Sequence, residues 1–358
     1  MRSRADHKVT VVISVRNEAD DILNCLQHIL TQDYPSEKME IIVVDDYSTD
    51  DTCKLVESIT DDRVKLIKLK DSPGNHSANT PNKKYALTAA IEIAKGKLIM
   101  VTDGDCVMDP QWIRTISSFY AEYEPGFIAS PVHLNGPRSF LTNFQKLDML
   151  SMTGVAAAAI QNNNPTLSNA ANMAFERNLF LDSGGFGVHS NQPSGDDLFL
   201  MHKFQLETDR EVMYCKSNEA AVTSKTVNTL KDFIEQRKRW VSKSTTYQKK
   251  SVTFTLLLAY LVNLSIVVSG IFALLGSTSM LIYFLAALFS KLFIDFTFLY
   301  PVSRFFKRSS ILYLFLPIQV VHILYVVTIG ILGMFFNYEW RGRTVHKTIR
   351  ITSDKVEN

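Results

Sequence analysis

Cysteine is scarce in this chain, and the cysteines it has lie far apart. The 358 residues include only four of them, Cys25, Cys53, Cys106 and Cys215. A structural zinc site needs closely spaced pairs, and a small disulfide-stabilised fold needs a high density of cysteine. The pattern argues against both classes and indicates reduced thiols in a cytoplasmic domain.

Net charge is also small, and a secretion signal is lacking. The 38 Lys and Arg residues are nearly balanced by 36 Asp and Glu residues, which leaves a formal charge of +2. Nucleic-acid-binding proteins usually carry a clear basic excess, so no nucleic-acid partner is expected. The apolar run near the N-terminus is short and predicts a strand, so we expect no cleavable signal peptide.

Long apolar runs are missing before residue 252 but dominate the rest of the chain. Three runs, at 253–276, 280–300 and 311–336, each exceed the roughly 18 to 20 residues that cross a bilayer as a helix. The sequence therefore predicts four parts. They are a soluble domain (1–240), a basic juxtamembrane segment (241–252), a membrane region (253–336) and a basic tail (337–358).

Strands and helices alternate through the first hundred residues. Buried strands are predicted at 8–15, 39–46, 64–69 and 97–103, with helices between them. This alternation is typical of right-handed βαβ units on a parallel sheet. Ligands of such sheets bind beyond the carboxyl ends of the strands, where "SVRNE", "DDYSTD" and "DGD" follow. We expect these three polar segments to converge on one crevice.

Asp45 and Asp46 stand at the end of the second predicted strand, where the turn into the next helix begins. Either could cap the next helix, but Ser48, Thr49 or Asp50 can do the same, which leaves the first two carboxylates without a structural role. Carboxylates at this place can accept hydrogen bonds from a ribose or a nucleobase.

Asp103 and Asp105 flank Gly104 at the end of an apolar strand. A plain β-turn explains one Asp and the Gly, but not two acids at alternate positions. The two carboxylates repel each other, and a hard cation such as Mg²⁺ or Mn²⁺ would relieve that repulsion. The context therefore predicts a divalent-cation site.

Two later motifs combine structural and chemical roles. "GDDLFL" places Asp196 and Asp197 at the start of a helix, where one acid suffices as a cap and the second is a candidate general base.

"FIEQRKRW" (233–240) could be a basic segment against lipid headgroups with an interfacial Trp240. That explanation does not account for Gln236.

These motifs, in this order, resemble the family 2 glycosyltransferases, which have the GT-A fold. The resemblance rests on "VRNE", "VVDDYSTD", "NKKYAL", "VTDGDC", "ANMAFERNLFLDSGGF", "GDDLFL" and "QRKRW", and it spans residues 8–240. It is strongest for the membrane-attached branch with a D, D-x-D, E/D-D, Q-x-x-R-W signature. The implied fold is a Rossmann-like, mostly parallel α/β sheet followed by a helical transmembrane region.

The resemblance also implies roles for individual residues. Asp45 and Asp46, with Glu18, would hold the nucleoside of a nucleotide-sugar donor, and Lys84 would help to bind its nucleotide end. Asp103 and Asp105 would be the D-x-D pair, with Asp105 as the ligand of a cation on the donor diphosphate.

The acceptor side is assigned in the same way. Asp197 would be the catalytic base, with Asp196 beside it at the acceptor. Gln236, Arg239 and Trp240 would bind diphosphate and acceptor at the membrane face. The family often has "TED" or "GED" where this chain has "GDD", so Asp196 replaces a glutamate while the base position is kept.

The expected activity is the inverting, metal-dependent transfer of a sugar from a nucleotide-sugar donor to a membrane lipid or lipid-linked acceptor. UDP is the expected nucleotide of the donor. Three spans are few for a polymer-conducting channel, so a processive polysaccharide synthase is the alternative. A membrane transporter or scaffold with a degenerate sugar-nucleotide fold is the non-enzyme alternative, and the intact set of acids argues against it. A nucleotidyltransferase could use D-x-D and a metal, but "QRKRW" has no evident part in it.

Charges around the apolar runs predict a cytoplasmic catalytic domain. The expected location is that of an integral protein of a bacterial inner membrane. Six basic residues precede the first run, namely Arg237, Lys238, Arg239, Lys243, Lys249 and Lys250. Arg341 and its basic neighbours in the tail also favour the cytoplasm, although three full crossings would put them outside. A re-entrant third run, broken at Pro317 or at the glycines 330 and 333, is the alternative.

Lys291 and Asp295 lie four residues apart within the second run and can pair, for function or for packing.

Overall fold

The computed structural model describes residues 7–72, 83–187, 195–242, 250–340 and 343–345. For 250–251, 338–340 and 343–345 the description is limited to the backbone. The predicted juxtamembrane segment and basic tail therefore lie largely outside the described residues.

Ten short strands build the N-terminal part. They are β1 (Val9–Val15), β2 (Met39–Asp45), β3 (Val64–Lys68), β4 (Leu98–Asp103), β5 (Val107–Met108), β6 (Phe127–Ala129), β7 (Val132–Asn135), β8 (Met173–Glu176), β9 (Val212–Tyr214) and β10 (Val222–Lys225). The four strands predicted from sequence are confirmed, each within one residue of its expected ends.

Helices connect these strands. They are α1 (Ile22–Leu30), α2 (Thr52–Glu57), α3 (Lys83–Ile93), α4 (Trp112–Tyr123), α5 (Phe140–Gln161), α6 (Arg177–Asp182) and α7 (Asp196–Glu207). α1 shows why the sequence folds this way, because Ile22, Leu26 and Ile29 recur at helical spacing and are fully buried.

The main sheet has seven strands in the order β3-β2-β1-β4-β8-β6-β9. The neighbours β3, β2, β1 and β4 run parallel, whereas β8 is antiparallel to both β4 and β6. Helices on both faces explain why β1 and β2 consist almost entirely of buried residues rather than alternating ones. The predicted α/β, mostly parallel architecture is confirmed.

A second sheet of three strands, in the order β5-β10-β7, begins directly after the "DGD" segment. Asn172, which is fully buried just before β8 of the main sheet, connects the segments around the small sheet to it. Its Nδ2 donates to the carbonyls of Pro131 (2.7 Å) and Ala220 (2.8 Å), and Trp112 Nε1 donates to its Oδ1 (3.0 Å). Because a buried amide without partners would be costly, this network fixes where the small sheet lies.

The chain separates into two compact units that do not follow chain order. The first comprises Met1–Asn228 with Leu288–Gln319, and the second comprises Thr229–Ala287 with Val320–Asn358. The boundaries at 287/288 and 319/320 fall inside long apolar helices, and the one at 228/229 does not. The predicted division at residue 240 stays a prediction.

The remaining elements are mostly long helices. They are α8 (Leu230–Val241), α9 (Lys250–Leu274), α10 (Thr278–Phe305), α11 (Phe315–Phe335), and the antiparallel strands β11 (Tyr338–Trp340) and β12 (Arg343–Val345). Three helical segments, Val252–Leu274, Thr278–Phe305 and Ser309–Phe335, are long and apolar enough to cross a membrane. The predicted apolar helices are thus confirmed as helices.

The third apolar segment begins as a 3₁₀ helix (Ser309–Leu314) that leads into α11, and α11 runs unbroken through both glycines. α11 starts two residues before Pro317, where a missing N–H breaks no helical hydrogen bond. Gly330 and Gly333 serve close packing, because a Cβ would lie 2.6 Å from Tyr260 Cε2 in the first case and 2.5 Å from Val241 Cβ in the second. Full crossing or re-entry of this segment stays a prediction.

The ion pair expected within α10 forms. Lys291 Nζ lies 2.6 Å from Asp295 Oδ2, one helical turn away along the same face. Both charges are thereby compensated within one helix, which lowers the cost of placing them in an apolar segment.

Candidate active site

The carboxyl ends of β1, β2 and β4 meet at one edge of the main sheet. Val15 at the end of β1 pairs with Asp45 of β2, and Ser14 pairs with Asp103 of β4. The predicted convergence of the three polar segments is therefore confirmed.

The "DGD" segment packs tightly against the end of β1. A Cβ at Gly104 would lie 2.9 Å from Val15 Cγ1 and 3.3 Å from Glu18 Cγ, so only glycine allows this close approach. Asp105 turns toward β10, where its Oδ2 accepts a hydrogen bond from Ser224 Oγ (2.7 Å). Glu18, Asp103 and Asp105 are thus brought together, as the sequence predicted.

A lysine that sequence reasoning missed, Lys83, compensates the charge of Asp103. Lys83 Nζ lies 2.7 Å from Asp103 Oδ1 and 3.8 Å from Asp196 Oδ2. Its side chain is only 20% exposed, so solvent screens these interactions weakly. Lys83 therefore links the end of β4 to the start of α7.

Lys84, the lysine predicted to bind the donor, has different surroundings. Its side chain is buried, with Nζ over the ring of Phe199 (4.8 Å) and within 5.9 Å of the ring centre of Phe186. Lys84 shares a helical stripe with the buried Leu87 and Ile91, and this spacing was a signal that could have separated it from Lys83. Its role in donor binding stays a prediction.

Asp45 and Asp46 are both almost fully buried at the end of β2. Asp50 accepts the N–H of Thr52 at the start of α2 (3.0 Å), so neither of the two acids is needed there. Asp45 nevertheless accepts the N–H of Ser48 at 3.2 and 3.3 Å. The expectation that both carboxylates lack a structural role is therefore wrong for Asp45, which shapes the turn.

The acids of "GDDLFL" occupy the first turn of α7. Gly195 precedes the helix with φ of 85°, so neither acid is the N-cap residue. Asp196 is buried, with 6% of its surface exposed, whereas Asp197 is partly exposed. Asp197 Oδ1 accepts the N–H of Leu198 (2.8 Å), and the helix dipole favours both carboxylates.

Gln236, Arg239 and Trp240 belong to α8, in the second compact unit. All three are partly exposed, while Arg237 between them is buried. The Arg237 guanidinium stacks 4.0 Å from the Trp240 ring centre and 4.9 Å from that of Phe233. Trp240 thus holds Arg237 in place by a cation–π contact, which sequence reasoning did not anticipate.

Two buried thiols lie beneath the acidic segment. Burial, reinforced by the charges of Asp105 and Asp103, raises the pKa of the Cys25 thiol well above its usual range, and the pKa of Cys106 rises for the same reasons. Both thiols therefore stay protonated at neutral pH and are unsuited to nucleophilic or metal-binding roles.

The donor set is suited to a cation shared with a substrate. Within the described residues, no group of three or more His, Cys, Asp or Glu side chains could hold a metal ion. Mg²⁺ is commonly bound by one or two carboxylates together with substrate phosphates. Asp103 and Asp105 fit that arrangement rather than an all-protein metal centre.

We expect Lys83→Ala to weaken donor binding by about tenfold or more, because a charge-assisted contact near a bound diphosphate would be lost and the acids would be uncompensated. Titration of nucleotide sugar by calorimetry measures the effect. Lys83→Arg should retain most of the affinity, and Lys54→Ala, at an exposed ion pair, is the control. Unchanged donor affinity in Lys83→Ala would limit Lys83 to a structural role.

Two family models match the chain. The model described as Glycosyl transferase family 2 matches residues 10–180, and the model described as Glycosyl transferase family group 2 matches residues 98–336. The second match covers more than half of the chain.

Curated relatives match over shorter stretches. Glycosyltransferase AglE of Haloferax volcanii is 31% identical over 108 residues, which are 30% of this chain and 33% of the relative. The UDP-Glc:alpha-D-GlcNAc-diphosphoundecaprenol beta-1,3-glucosyltransferase WfaP of Escherichia coli is 33% identical over 107 residues, which are 30% of this chain and 37% of the relative. The chain spans about a third of the length of these relatives.

A solved structure shares the fold. The mannosyltransferase PcManGT from Pyrobaculum calidifontis, in complex with GDP-Man and Mn²⁺, has a TM-score of 0.50 at 19% identity. The similarity covers 89% of this chain and 87% of that one. With the GT-A fold and a family match over more than half of its length, this chain belongs to the family 2 glycosyltransferases.

Proposed function

We propose that the protein is an inverting glycosyltransferase that moves a sugar from a nucleotide-sugar donor to a membrane lipid or lipid-linked acceptor. The observation that carries this proposal is the meeting of Asp45, Asp103 and Asp105 at one sheet edge, with Asp196 tied to it through Lys83. This edge is where nucleotide ligands bind in open α/β sheets.

A UDP-linked donor is the first choice. The name of WfaP states UDP-Glc as its donor and a diphosphoundecaprenol-linked sugar as its acceptor. PcManGT was solved with GDP-Man, so the fold also accommodates a second nucleotide. Asp45, Asp46 and Glu18 are proposed to hold the nucleoside, since their carboxylates can accept hydrogen bonds from ribose and base.

The chemistry assigned to this chain is a single displacement. Asp197 takes the proton of the acceptor hydroxyl while the hydroxyl oxygen forms a bond to the anomeric carbon of the sugar. The bond between the anomeric carbon and the diphosphate breaks, and its electron pair stays on the diphosphate. One displacement from the opposite face inverts the anomeric centre. Lys83 and Arg239 are proposed to stabilise the charge that develops on the diphosphate.

A divalent cation, Mg²⁺ or Mn²⁺, is proposed as cofactor. When bound, it would neutralise the diphosphate and make it a better leaving group. Asp105, with Asp103 beside it, would hold it.

The proposed location is a bacterial inner membrane with the catalytic domain in the cytoplasm. Basic residues before the first candidate span and after the second support this orientation through the positive-inside rule. Gln236 and Trp240 would then face the acceptor at the membrane surface.

The test uses membranes containing the protein and a panel of labelled UDP- and GDP-sugars, followed by lipid extraction. One donor should transfer its label to the organic phase, and membranes with Asp103→Asn should transfer far less. Label in an insoluble polymer would indicate the processive synthase instead. Transfer from none of the donors, by protein that is folded, would favour the transporter or scaffold.

A further inference from the structure

A cavity of about 250 Å³ is lined by the small sheet and by the residues that follow α10. The side chains that matter for its chemistry are Met108, Asp109, His133, Thr223, Phe306 and Arg308. It is smaller than the ~300 to 1,000 Å³ typical of pockets for drug-sized ligands, so it suits a headgroup rather than a nucleotide sugar.

The cavity and the candidate active site meet adjacent residues of β10. Thr223 pairs with His133 across β10 and β7, and both line the cavity. The next residue, Ser224, donates to Asp105. Because successive residues of a strand point to opposite faces, a ligand in the cavity is separated from the reacting diphosphate.

The backbone holds Arg308 firmly at the cavity. α10 ends at Phe305, and Lys307 beyond it has a φ of 55°. The Arg308 N–H donates to the carbonyl of Ser303 (2.8 Å), which makes a helix-terminating turn. Phe306 is buried with its ring edge-to-face against His133, the ring centres lying 4.9 Å apart. The turn therefore fixes the backbone of Arg308 at the cavity, which this partly exposed residue helps to line.

Arg308 lies near a second cation, Lys146, whose Nζ donates to Asn135 Oδ1 (3.4 Å) and to the carbonyl of Gly136 (3.5 Å). Among the described residues, no carboxylate lies within ion-pair distance of Arg308 or Lys146. Burial lowers the pKa of Arg308, and burial together with the Arg308 charge lowers the pKa of Lys146. The same two causes lower the pKa of His133 to about 3, so this ring is neutral at pH 7 and can donate one N–H.

A partly buried guanidinium without a counterion is costly, so such a group is expected to have an anionic partner. Asp109 is the acid that lines the cavity, but it is exposed and its Oδ1 accepts the Gln111 N–H (2.9 Å). The end of α10, a helix long and apolar enough to cross a membrane, directly precedes Phe306 and Arg308. An anionic lipid headgroup at the membrane surface would therefore lie close to this cavity.

We infer that this cavity binds the phosphate of an anionic lipid headgroup, with Arg308 as its principal ligand and His133 as a hydrogen-bond donor. The inference rests on the membrane attachment in the proposed function, but not on sugar transfer. Its consequence is a lipid contact that anchors the catalytic unit at the membrane separately from the acceptor site.

The test measures binding of fluorescent phosphatidylglycerol to the full chain in phosphatidylcholine nanodiscs, without any sugar donor. Wild-type protein should bind it saturably, and Arg308→Ala should weaken binding about tenfold or more, since a charge-assisted contact is lost. Arg304→Ala, an exposed arginine on the last turn of α10, is the control and should bind as wild type. Asp109→Asn should bind more tightly, because it removes a negative charge from the rim.

Thermal unfolding of each variant shows whether it is folded, and Arg308→Lys, which keeps the charge, should retain part of the affinity. Equal binding by wild type and folded Arg308→Ala would overturn the inference. If inorganic phosphate displaced the fluorescent lipid as effectively as unlabelled phosphatidylglycerol does, the lipid assignment would be overturned. Weaker binding by Asp109→Asn would also contradict it, because a zwitterionic ligand would then be favoured. Since no sugar transfer is measured, failure of the proposed function would leave this result unaffected.

Discussion

Asp197→Asn is expected to fold, to bind nucleotide sugar normally and to lower the transfer rate by ~10²- to 10⁴-fold, the usual effect of removing a general base. The structure favours a clean test. Asp197 is partly exposed, and its Oδ1 accepts the Leu198 N–H, a bond that the amide oxygen of Asn can keep. The substitution therefore removes basicity with little change in local structure.

Asp196→Asn is the matched comparison on the same helical turn. Asp196 is buried 3.8 Å from Lys83, so its charge helps to compensate that lysine. We expect this variant to lose stability, seen as a lower unfolding temperature, while retaining more transfer activity than Asp197→Asn. Donor affinity and single-turnover rates, measured for both variants, decide which of the two acids is the general base. Near-normal transfer by Asp197→Asn at unchanged donor affinity would remove Asp197 from the mechanism.

Chelation of divalent cations is expected to abolish transfer, and Mn²⁺ or Mg²⁺ should restore it. Asp105→Asn should reproduce the loss even with excess cation, because a neutral amide is a much weaker ligand for a hard cation than a carboxylate. Asn can still accept the hydrogen bond from Ser224 Oγ, so the fold should persist.

Mn²⁺ binding measured by electron paramagnetic resonance, in the presence of nucleoside diphosphate, gives a readout independent of turnover. Wild type should bind Mn²⁺, and Asp105→Asn should bind it much more weakly. Asp62→Asn, at an exposed position, should behave as wild type. Full activity of the wild type in excess chelator would exclude a metal role for Asp105.

Sequence reasoning was most successful where structure depends on neighbours along the chain. The strands that end at Asp45 and Asp103 are marked by continuous Val and Ile runs, and their shared sheet edge follows from parallel connectivity. Gly104, which the sequence places between the two acids, lies close to Val15 and Glu18 in the structure. These features need only local periodicity and simple topology rules.

Side-chain direction at helix starts was harder to predict. "NKKYAL" offers two lysines, and the sequence favoured Lys84, yet Lys83 pairs with Asp103. In "QRKRW" the sequence singled out Arg239, while Arg237 is the buried one. Adjacent residues of a helix differ by about 100° in direction, so the side facing the core depends on where the helix begins and what packs against it.

The sequence by itself determined the alternation of strands and helices, the acidic strand ends and the three apolar helices, because apolar periodicity and run length are local properties of the chain. Only the tertiary structure decided which charges meet. Lys83 reaches Asp103 and Asp196 from a separate helix. Arg308 and the neutral His133, more than a hundred residues apart in the chain, line one cavity. Such pairs arise from packing between distant segments, and no spacing along the sequence records them.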